Sequence, residues 1–170
     1  NSQYKKQGTW HYFYKDGNTK EISEWNNGDL EGWYHEFNQN GTRARSISLK
    51  NNQRDGLSLD YDDQGVLRSS MGYVEGELQG KITLYHENGE VKRTYTYKDG
   101  SANGMLVEYA ANGMKSREVM LKDGKLDGVE KEWYSDGSVS SEYNYKEGNR
   151  EGTFVSYYNN GEVYRRGQNK

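Results

Sequence analysis

Apolar and polar positions alternate along most of this chain with a period of two residues. In the segment 91–98, Tyr95 and Tyr97 alternate with Thr94, Thr96 and Lys98. Such alternation is typical of a half-buried β-strand, and the 3.6-residue apolar spacing of an amphipathic helix is not sustained anywhere in the sequence. Many alternating runs are bounded by Asn-Gly or Asp-Gly pairs, which favour hairpin turns. The pattern therefore predicts an all-β chain of antiparallel hairpins.

The hairpin pattern repeats with a fixed spacing of 24 residues. The predicted repeats start at seven glycines: Gly8, Gly32, Gly56, Gly80, Gly104, Gly128 and Gly152. An aromatic residue follows each of them five positions later: Phe13, Phe37, Tyr61, Tyr85, Tyr109, Trp133 and Tyr157. The predicted fold is an elongated, single-layer, antiparallel β-meander solenoid of seven 24-residue hairpin repeats, which forms one array over residues 1–170.

Two further sets of glycines recur with the same spacing of 24 residues. We call the residues at equivalent positions of successive repeats a column. We interpret the glycines as turn positions, and Asn52 replaces glycine once, as expected for the residue type that most readily adopts a positive φ after glycine. Asn88-Gly89 and its equivalents are predicted to be tight turns, and segments such as 122–128 are predicted to be longer turns. We expect the aromatic residues of one column to stack on one another.

The composition supports a fold that depends on aromatic residues. Hydrophobic residues make up only 31% of the 170 residues, but the chain has 16 Tyr and 4 Trp, and aromatic side chains bury large areas. Proline, which is excluded from central strands, is absent, and so is cysteine, which rules out disulfides and thiolate chemistry. Because the sequence starts at Asn1 rather than Met, we expect that it was processed or cut from a longer chain.

The repeat unit resembles that of a known family. The phrase G-x4-(Y/F/W)-x2-(N/D)-G, followed by an alternating strand and (K/N)-(D/E/N)-G-x-(L/R)-(D/E)-G, resembles the MORN repeat over Gly8 to Gly161. It is most similar to the variant in bacterial antitoxins of the YwqK type, although 24 residues slightly exceed the commonest spacing of that family. The resemblance implies a single-layer sheet that acts as a scaffold for protein or lipid contacts, and bacterial members are often immunity or antitoxin proteins.

The sequence offers little support for catalysis, cofactors or metal binding. His11 and His35 occupy one column about 10 Å apart, too far for two ligands of one zinc ion. The segment 60–65 starts like a calcium loop but lacks the later acidic ligands, so we interpret it as an acidic turn. No nucleophile elbow or phosphate-binding loop is present. We therefore expect no enzyme activity, no cofactor and no metal.

A column of arginines has two interpretations. Arginines recur at one repeat position: Arg45, Arg93, Arg117 and Arg165. Their regularly spaced positive charges could bind the phosphates of a nucleic acid. The chain is nevertheless acidic, with a net charge of −3, and phosphate neutralisation dominates affinity for nucleic acids. Structural ion pairs, or arginines stacked on tyrosine rings, are the favoured interpretation. We expect no nucleic-acid partner.

The candidate binding site consists of residues whose type differs from that of the residues at equivalent positions of other repeats. They combine aromatic anchors with acidic groups: Trp10, Tyr12, Tyr14, Tyr34, Glu36, Asp60, Asp62 and His86. Exposed aromatic residues in a cluster are typical anchors of protein interfaces, whereas the alternative is that the N-terminal aromatic residues cap an exposed sheet edge.

We expect the chain to be a protein-binding scaffold, in the periplasm or cell envelope of a bacterium or alternatively in its cytoplasm. By resemblance to the family, its partner would be a toxin or secreted effector. The alternatives are a membrane-lipid scaffold and a structural repeat protein of the cell envelope. Direct membrane binding is disfavoured by the acidic charge and by the lack of a basic amphipathic helix. The oligomeric state stays open.

Overall fold

The computed structural model describes residues 4–169, and its regular structure consists of fifteen β-strands without a helix in that range. The chain divides into two compact units, one ending at Gly80 and the other beginning at Lys81, within strand β7. In both units, neighbouring strands are antiparallel and follow one another in chain order. This confirms the predicted all-β antiparallel meander. The number of repeats and the predicted elongation stay predictions.

Unit 1 contains six complete strands and the first residues of a seventh. Their bounds are β1 Gly8–Phe13, β2 Thr19–Asn26, β3 Asp29–Phe37, β4 Arg43–Lys50, β5 Gln53–Tyr61, β6 Leu67–Val74 and β7 Glu77–Tyr85.

Unit 2 contains the rest of β7 and eight further strands. Their bounds are β8 Val91–Lys98, β9 Ser101–Tyr109, β10 Lys115–Lys122, β11 Lys125–Leu126, β12 Gly128–Trp133, β13 Val139–Lys146, β14 Asn149–Tyr157 and β15 Val163–Asn169.

The two classes of turn are the reverse of those predicted from the sequence. The turn after β10 consists of Asp123 and Gly124 alone, both at positive φ (50° and 79°), as in a type I′ turn. At Gly89 the loop is wider, because the amide of Gly89 donates to the carbonyl of His86 and the amide of His86 donates to the carbonyl of Glu90. The prediction of a longer turn at 122–128 was therefore wrong, and strand β11 begins directly after Gly124.

The first glycine column is also not a set of turns. Gly32 lies inside β3 with a φ of 106°, where the register between β2 and β3 shifts and forms a bulge. A Cβ atom at Gly32 would lie 1.9 Å from a carboxylate oxygen of Glu24. The sequence correctly indicated a special backbone conformation here but assigned it to the wrong local structure.

Within residues 4–169, no stacked pair of rings joins two aromatic residues of one column, contrary to the prediction. Equivalent residues lie two strands apart, which is about 10 Å and beyond ring contact. The observed stacks join neighbouring positions instead, such as Trp33 with His35 at 5.6 Å and Tyr143 with Phe154 at 5.8 Å between ring centroids. The register is held partly by contacts between successive turns, since the amide of Gly76 donates to the carbonyl of Arg54 at 2.8 Å.

The buried residues differ between the units. Among the described residues of unit 1, one hydrophobic side chain is buried, Ile47, together with four serines: Ser23, Ser46, Ser58 and Ser69. Unit 2 buries four hydrophobic side chains, Ile82, Val119, Leu121 and Tyr143, with Thr83, Glu130 and Ser141. Among the described residues, unit 1 therefore has fewer fully buried hydrophobic side chains than unit 2.

Candidate functional site

The register of unit 1 places two predicted anchors, Trp10 and Tyr34, in one row across the sheet. Trp10 lies opposite Ser23, and Ser23 lies opposite Tyr34, so the three side chains share one face. Ser23 is fully buried between the two rings, whereas Trp10 is 37% exposed and Tyr34 is half-buried. We call these three residues the aromatic row. Its partly exposed rings are available to a partner.

A parallel row on the same face carries acidic groups. Tyr12 lies opposite Glu21, Glu21 opposite Glu36, Glu36 opposite Arg45, and Arg45 opposite Asp60. We call these five residues the acidic row, and the two rows together the front face of unit 1. The front face therefore unites five of the eight predicted binding residues: Trp10, Tyr12, Tyr34, Glu36 and Asp60.

Charges in the acidic row are incompletely balanced. The Nε of Arg45 donates to Asp60 at 2.8 Å, and an Nη of Arg45 lies 4.0 Å from Glu36. At the other end of the row, Glu21 and Glu36 lie directly opposite each other, an arrangement of like charges that destabilises a sheet. The row holds three carboxylates and one guanidinium, so its net charge is negative and it favours a cationic partner.

The environment of Tyr34 reflects this negative charge. Its hydroxyl donates to a carboxylate oxygen of Glu21 at 3.3 Å. Burial, followed by the charges of Glu21 and Glu36, raises the pKa of Tyr34 to about 12, because each of these effects disfavours the phenolate. The hydroxyl is therefore a proton donor at neutral pH.

Lys6 completes a cation site at the start of the front face. Its ammonium lies 4.1 Å from the ring centroid of Trp25, 5.0 Å from that of Trp10 and 5.2 Å from that of Tyr12. It also donates a hydrogen bond of 2.5 Å to the hydroxyl of Tyr12. The rings of Trp25 and Trp10 lie within the ~6 Å range of a cation–π contact, whereas Tyr12 meets the ammonium through its hydroxyl. We call Trp10, Tyr12 and Trp25 the aromatic cage.

The sequence contained a signal for this site that sequence reasoning missed. Lys6 shares a repeat column with Arg54 and Arg150. The guanidinium of Arg54 lies 5.0 Å from the ring of Tyr73, and that of Arg150 lies 5.8 Å from the ring of Tyr145. The signal is a cation two residues before a glycine of the first column, with an aromatic residue either 19 positions after the cation, as for Trp25 and Tyr73, or five positions before it, as for Tyr145.

Three predicted binding residues lie in turns rather than on the front face. The hydroxyl of Tyr14 donates to the carbonyl of Phe37 at 2.7 Å, and Nε2 of His86 lies 2.8 Å from the carbonyl of Tyr109. Both side chains thus bond to the backbone 23 residues further on and connect successive hairpins. His86 also belongs to unit 2, so it does not join the other candidates in unit 1. Partner binding at these positions stays a prediction.

Asp62 is the third turn residue. One oxygen of its carboxylate accepts from the amides of Gln64 and Val66, and the other pairs with Arg68 at 2.5 Å. These hydrogen bonds, the one from Val66 first, lower the pKa of Asp62. Residues 62–65 therefore form an acidic turn directly after β5, which confirms the turn interpretation for that part of the segment 60–65.

In unit 2, the arginine column forms ion pairs. Arg93 pairs with Glu108, and Arg117 lies 3.7 Å from Glu108 and 2.5 Å from Glu130, whose side chain is 3% exposed. We call these four residues the charge ladder. The structural interpretation of the arginine column is confirmed for Arg93 and Arg117, as it is for Arg45 in unit 1.

The opposite face of unit 1 holds a histidine beside a serine. Nδ1 of His35 and the hydroxyl of Ser46 share a hydrogen bond of 2.9 Å, and burial lowers the pKa of His35. Ser46 is only 1% exposed, so its hydroxyl is inaccessible to a substrate. Within residues 4–169, no group of three or more His, Cys, Asp or Glu side chains is arranged to hold a metal ion.

Comparison with known families finds a match in three segments of the chain. The model of the MORN repeat variant matches residues 78–99, 126–147 and 150–168. The second and third matches begin 24 residues apart, which is one period of the repeat. MORN repeats are in general modules that bind proteins or membranes. No curated protein matches the sequence. Over the described range, the chain has no helix that is long and apolar enough to cross a membrane.

Proposed function

We propose that this protein is a non-catalytic scaffold that binds another protein through the front face of unit 1. The observation that carries the proposal is the convergence of exposed aromatic rings and unbalanced carboxylates on one face. Trp10 and Tyr12 are 37% and 36% exposed, and the like-charged Glu21 and Glu36 lie in the adjacent strands. Interfaces commonly use aromatic anchors, while complementary charge speeds association.

The partner best suited to this face is a protein with a basic surface. A cationic side chain placed near Glu21 and Glu36 would offset the repulsion between them, as Arg45 does between Glu36 and Asp60. We further propose that the partner is a toxin or secreted effector, which makes this chain an immunity protein or antitoxin in the periplasm or cell envelope. The resemblance to bacterial antitoxins supports this finer assignment.

The test is affinity capture from the source cell with two matched double variants. Trp10→Ala with Tyr34→Ala removes the anchors of the front face. His11→Ala with Leu57→Ala truncates side chains that the register places on the opposite face of the same unit. We expect the first pair to abolish retention of a basic protein and the second pair to leave it intact. Equal retention by both double variants would contradict the assignment of the face.

A membrane role is the alternative that a specific surface favours. Strand β15 exposes Val163 and Tyr164, at 52% and 62%, beside the exposed Arg165 and Arg166, and such a mixture of apolar and basic groups suits an anionic lipid surface. Co-sedimentation with anionic vesicles at physiological salt separates the two functions. Pelleting that is lost in Arg165→Gln with Arg166→Gln would favour the membrane role over protein binding.

A further inference from the structure

We propose that the aromatic cage of Trp10, Tyr12 and Trp25 is a binding site for a lysine side chain of the partner protein, and that Lys6 is an internal occupant which the partner's lysine displaces. The proposal rests on the proposed function, because it names the chemistry of the group that anchors the partner on the front face. It assigns a ligand-binding role to side chains that otherwise belong to the scaffold.

The occupancy of the cage by Lys6 shows which ligand fits. A primary ammonium on a four-carbon stem sits within 5.2 Å of all three ring centroids and donates to the hydroxyl of Tyr12. The faces of Trp10 and Trp25 attract the cation, and aromatic cages are a known device for recognising quaternary ammonium ligands. The hydroxyl of Tyr12 adds a hydrogen-bond acceptor, which a primary ammonium can use. A lysine of another chain would present the same group with the same reach.

The cage differs from the equivalent contacts in its exposure. At equivalent positions of the column, Arg54 lies over the ring of Tyr73, and Arg150 lies over those of Tyr143 and Tyr145. Tyr143 is only 9% exposed, whereas Trp10 and Tyr12 beside Lys6 are more than one-third exposed. The groups that hold Lys6 are therefore accessible to a partner.

The side chain of Lys6 can leave the cage without unfolding its surroundings. Residues 4–7 precede β1 and belong to no strand, and three hydrogen bonds of their backbone and of the Gln7 side chain hold them in place. The carbonyl of Lys6 accepts from Gly28 at 2.9 Å, Oε1 of Gln7 accepts from Asn27 at 2.8 Å, and the carbonyl of Gln7 accepts from Trp10 at 3.2 Å. None of these bonds involves the ammonium of Lys6, so rotation of its side chain suffices.

The surroundings of the cage carry both signs of charge and leave room for a ligand that is attached to a chain. Glu21 lies opposite Tyr12 and supplies negative charge beside the ring. An open pocket of about 540 Å³ adjoins Trp25 and is also lined by Tyr4, Lys5 and Asp29. The pocket gives room for the backbone that carries the incoming lysine.

Because Lys6 is tethered, it competes with an external lysine at an effective concentration in the millimolar range. Its removal should strengthen the binding of an external alkylammonium about tenfold, provided that the cage itself stays folded. Substitution of a lysine outside the cage should have no such effect, even though it changes the net charge equally.

The experiment is an NMR titration of the full chain that follows the indole N–H signals of Trp10 and Trp25. The probe is N-acetyl-lysine methylamide, and the neutral control is the norleucine analogue, which has the same stem without the ammonium. The proteins are the wild type, Lys6→Gln, and the matched variant Lys15→Gln, since Lys15 is exposed, does not line the pocket beside Trp25, and has its ammonium over none of the described rings.

We expect Lys6→Gln to bind the lysine probe about tenfold more tightly than the other two proteins, and none of them to respond to norleucine. Equal binding by Lys6→Gln and the wild type, or an equal response to norleucine, would overturn the proposal.

If Lys6→Gln loses the dispersion of its indole signals, Lys6→Arg replaces it. That variant copies the cation of the equivalent repeat position, so it should fold and bind the probe more weakly than the wild type does, and unchanged binding would overturn the proposal.

The outcomes separate this inference from the proposed function. A captured partner whose affinity is unchanged in Lys6→Gln and in Trp25→Leu would overturn the cage as a lysine site and leave protein binding intact. Tight probe binding by Lys6→Gln, without any protein retained by the wild type or by Lys6→Gln, would support the cage and overturn the proposed function.

Discussion

The same repeat positions carry different charges in the two units. In unit 2, Arg93 and Arg117 flank Glu108, so that each carboxylate of the charge ladder meets a guanidinium. In unit 1, the column of these arginines begins with Glu21, which lies directly opposite Glu36. The comparison indicates that unit 2 pairs the charges at these positions, whereas in unit 1 one carboxylate faces another, the arrangement on which the proposed binding of a basic protein rests.

The buried residues show the same contrast. Unit 2 buries Ile82, Val119 and Leu121, while at the repeat position of Val119 unit 1 has the buried Ile47 and also Ser23, which is fully buried and polar. Burial of apolar surface is the main stabilising contribution to folding, at roughly 25 cal/mol per Å². We therefore expect unit 1 to open more readily than unit 2, which amide hydrogen exchange would detect as weaker protection of its strands.

The largest expected effect concerns the charge ladder. Arg117→Met leaves the carboxylate of Glu130, with its side chain only 3% exposed, without the guanidinium that donates to it at 2.5 Å. An uncompensated buried charge costs about 3 kcal/mol of unfolding free energy, which denaturant titration measures. The matched variant Arg45→Met removes an arginine that is 45% exposed, and we expect it to cost less than about 1 kcal/mol.

A second substitution in unit 2 tests the cause of this loss. Adding Glu130→Leu to Arg117→Met removes the buried charge itself, and other repeats have Ile82 and Leu106 at this position. The double variant should recover most of the lost stability. Similar costs for Arg117→Met and Arg45→Met, or no recovery in the double variant, would contradict the contrast between the units.

The next effect concerns the polar core of unit 1. The hydroxyl of Ser23 accepts from the indole of Trp25 at 2.9 Å and donates to Glu21 at 3.0 Å. Ser23→Ala leaves both groups without this partner and should cost about 1–2 kcal/mol. Ser141→Ala in unit 2 removes one hydrogen bond, to Glu132, and should cost less. The difference would be measured by denaturant unfolding, and a larger cost for Ser141→Ala would contradict it.

Much of the fold was predictable, because turn chemistry and alternation are local properties of the sequence. Asn52 has a φ of 64°, as its place in a glycine column predicts. The bulge at Gly32 was not predictable, because a positive φ is needed in bulges and turns alike, and only the pairing of β2 with β3 distinguishes them.

The candidate site was predicted in part for a similar reason. Alternation places Trp10 and Tyr12 on one face of a strand, and the fixed repeat places Tyr34 on the same face. The role of Tyr14 in joining two turns depends on a hydrogen bond to a carbonyl 23 residues away, which residue types alone do not reveal. The position of Lys6 in the cage was missed because its column was not compared with the aromatic columns.

A smaller effect on stability is expected at alkaline pH. The pKa of Tyr34 is raised to about 12 from 10, so the folded state holds this proton more firmly than the unfolded state does. The resulting stabilisation is complete below pH 10 and is lost as the pH rises toward about 12, because the unfolded chain then binds fewer protons. Tyrosinate absorbance should show a late-titrating component that disappears in Tyr34→Phe.

Glu21→Gln sharpens this prediction, since the charge of Glu21 is one of the causes of the raised pKa after burial. The late-titrating group should move to lower pH in this variant. An unchanged titration would mean that burial alone accounts for the raised pKa of Tyr34, and that the negative charge of the front face is weaker than its residues indicate.

The smallest effect is the most informative, because its sign differs between the units. Glu36→Gln removes a carboxylate that lies opposite Glu21. The removed group makes only a long contact, of 4.0 Å, with Arg45, and Arg45 keeps its 2.8 Å contact with Asp60. We expect a gain of about 0.3–0.5 kcal/mol, since like charges directly opposite destabilise a sheet. The gain should shrink with added salt, because salt screens the repulsion between exposed charges; the screening length is about 10 Å at 0.1 M.

The same substitution at the same repeat position in unit 2 should act in the opposite direction. Glu108→Gln removes the carboxylate that pairs with Arg93 and lies 3.7 Å from Arg117, so it should lower the unfolding free energy by about 1 kcal/mol. Denaturant unfolding of both variants at two salt concentrations provides the test. If both substitutions change stability with the same sign, the front face of unit 1 does not carry unbalanced charge, and the electrostatic part of the proposed partner site is wrong.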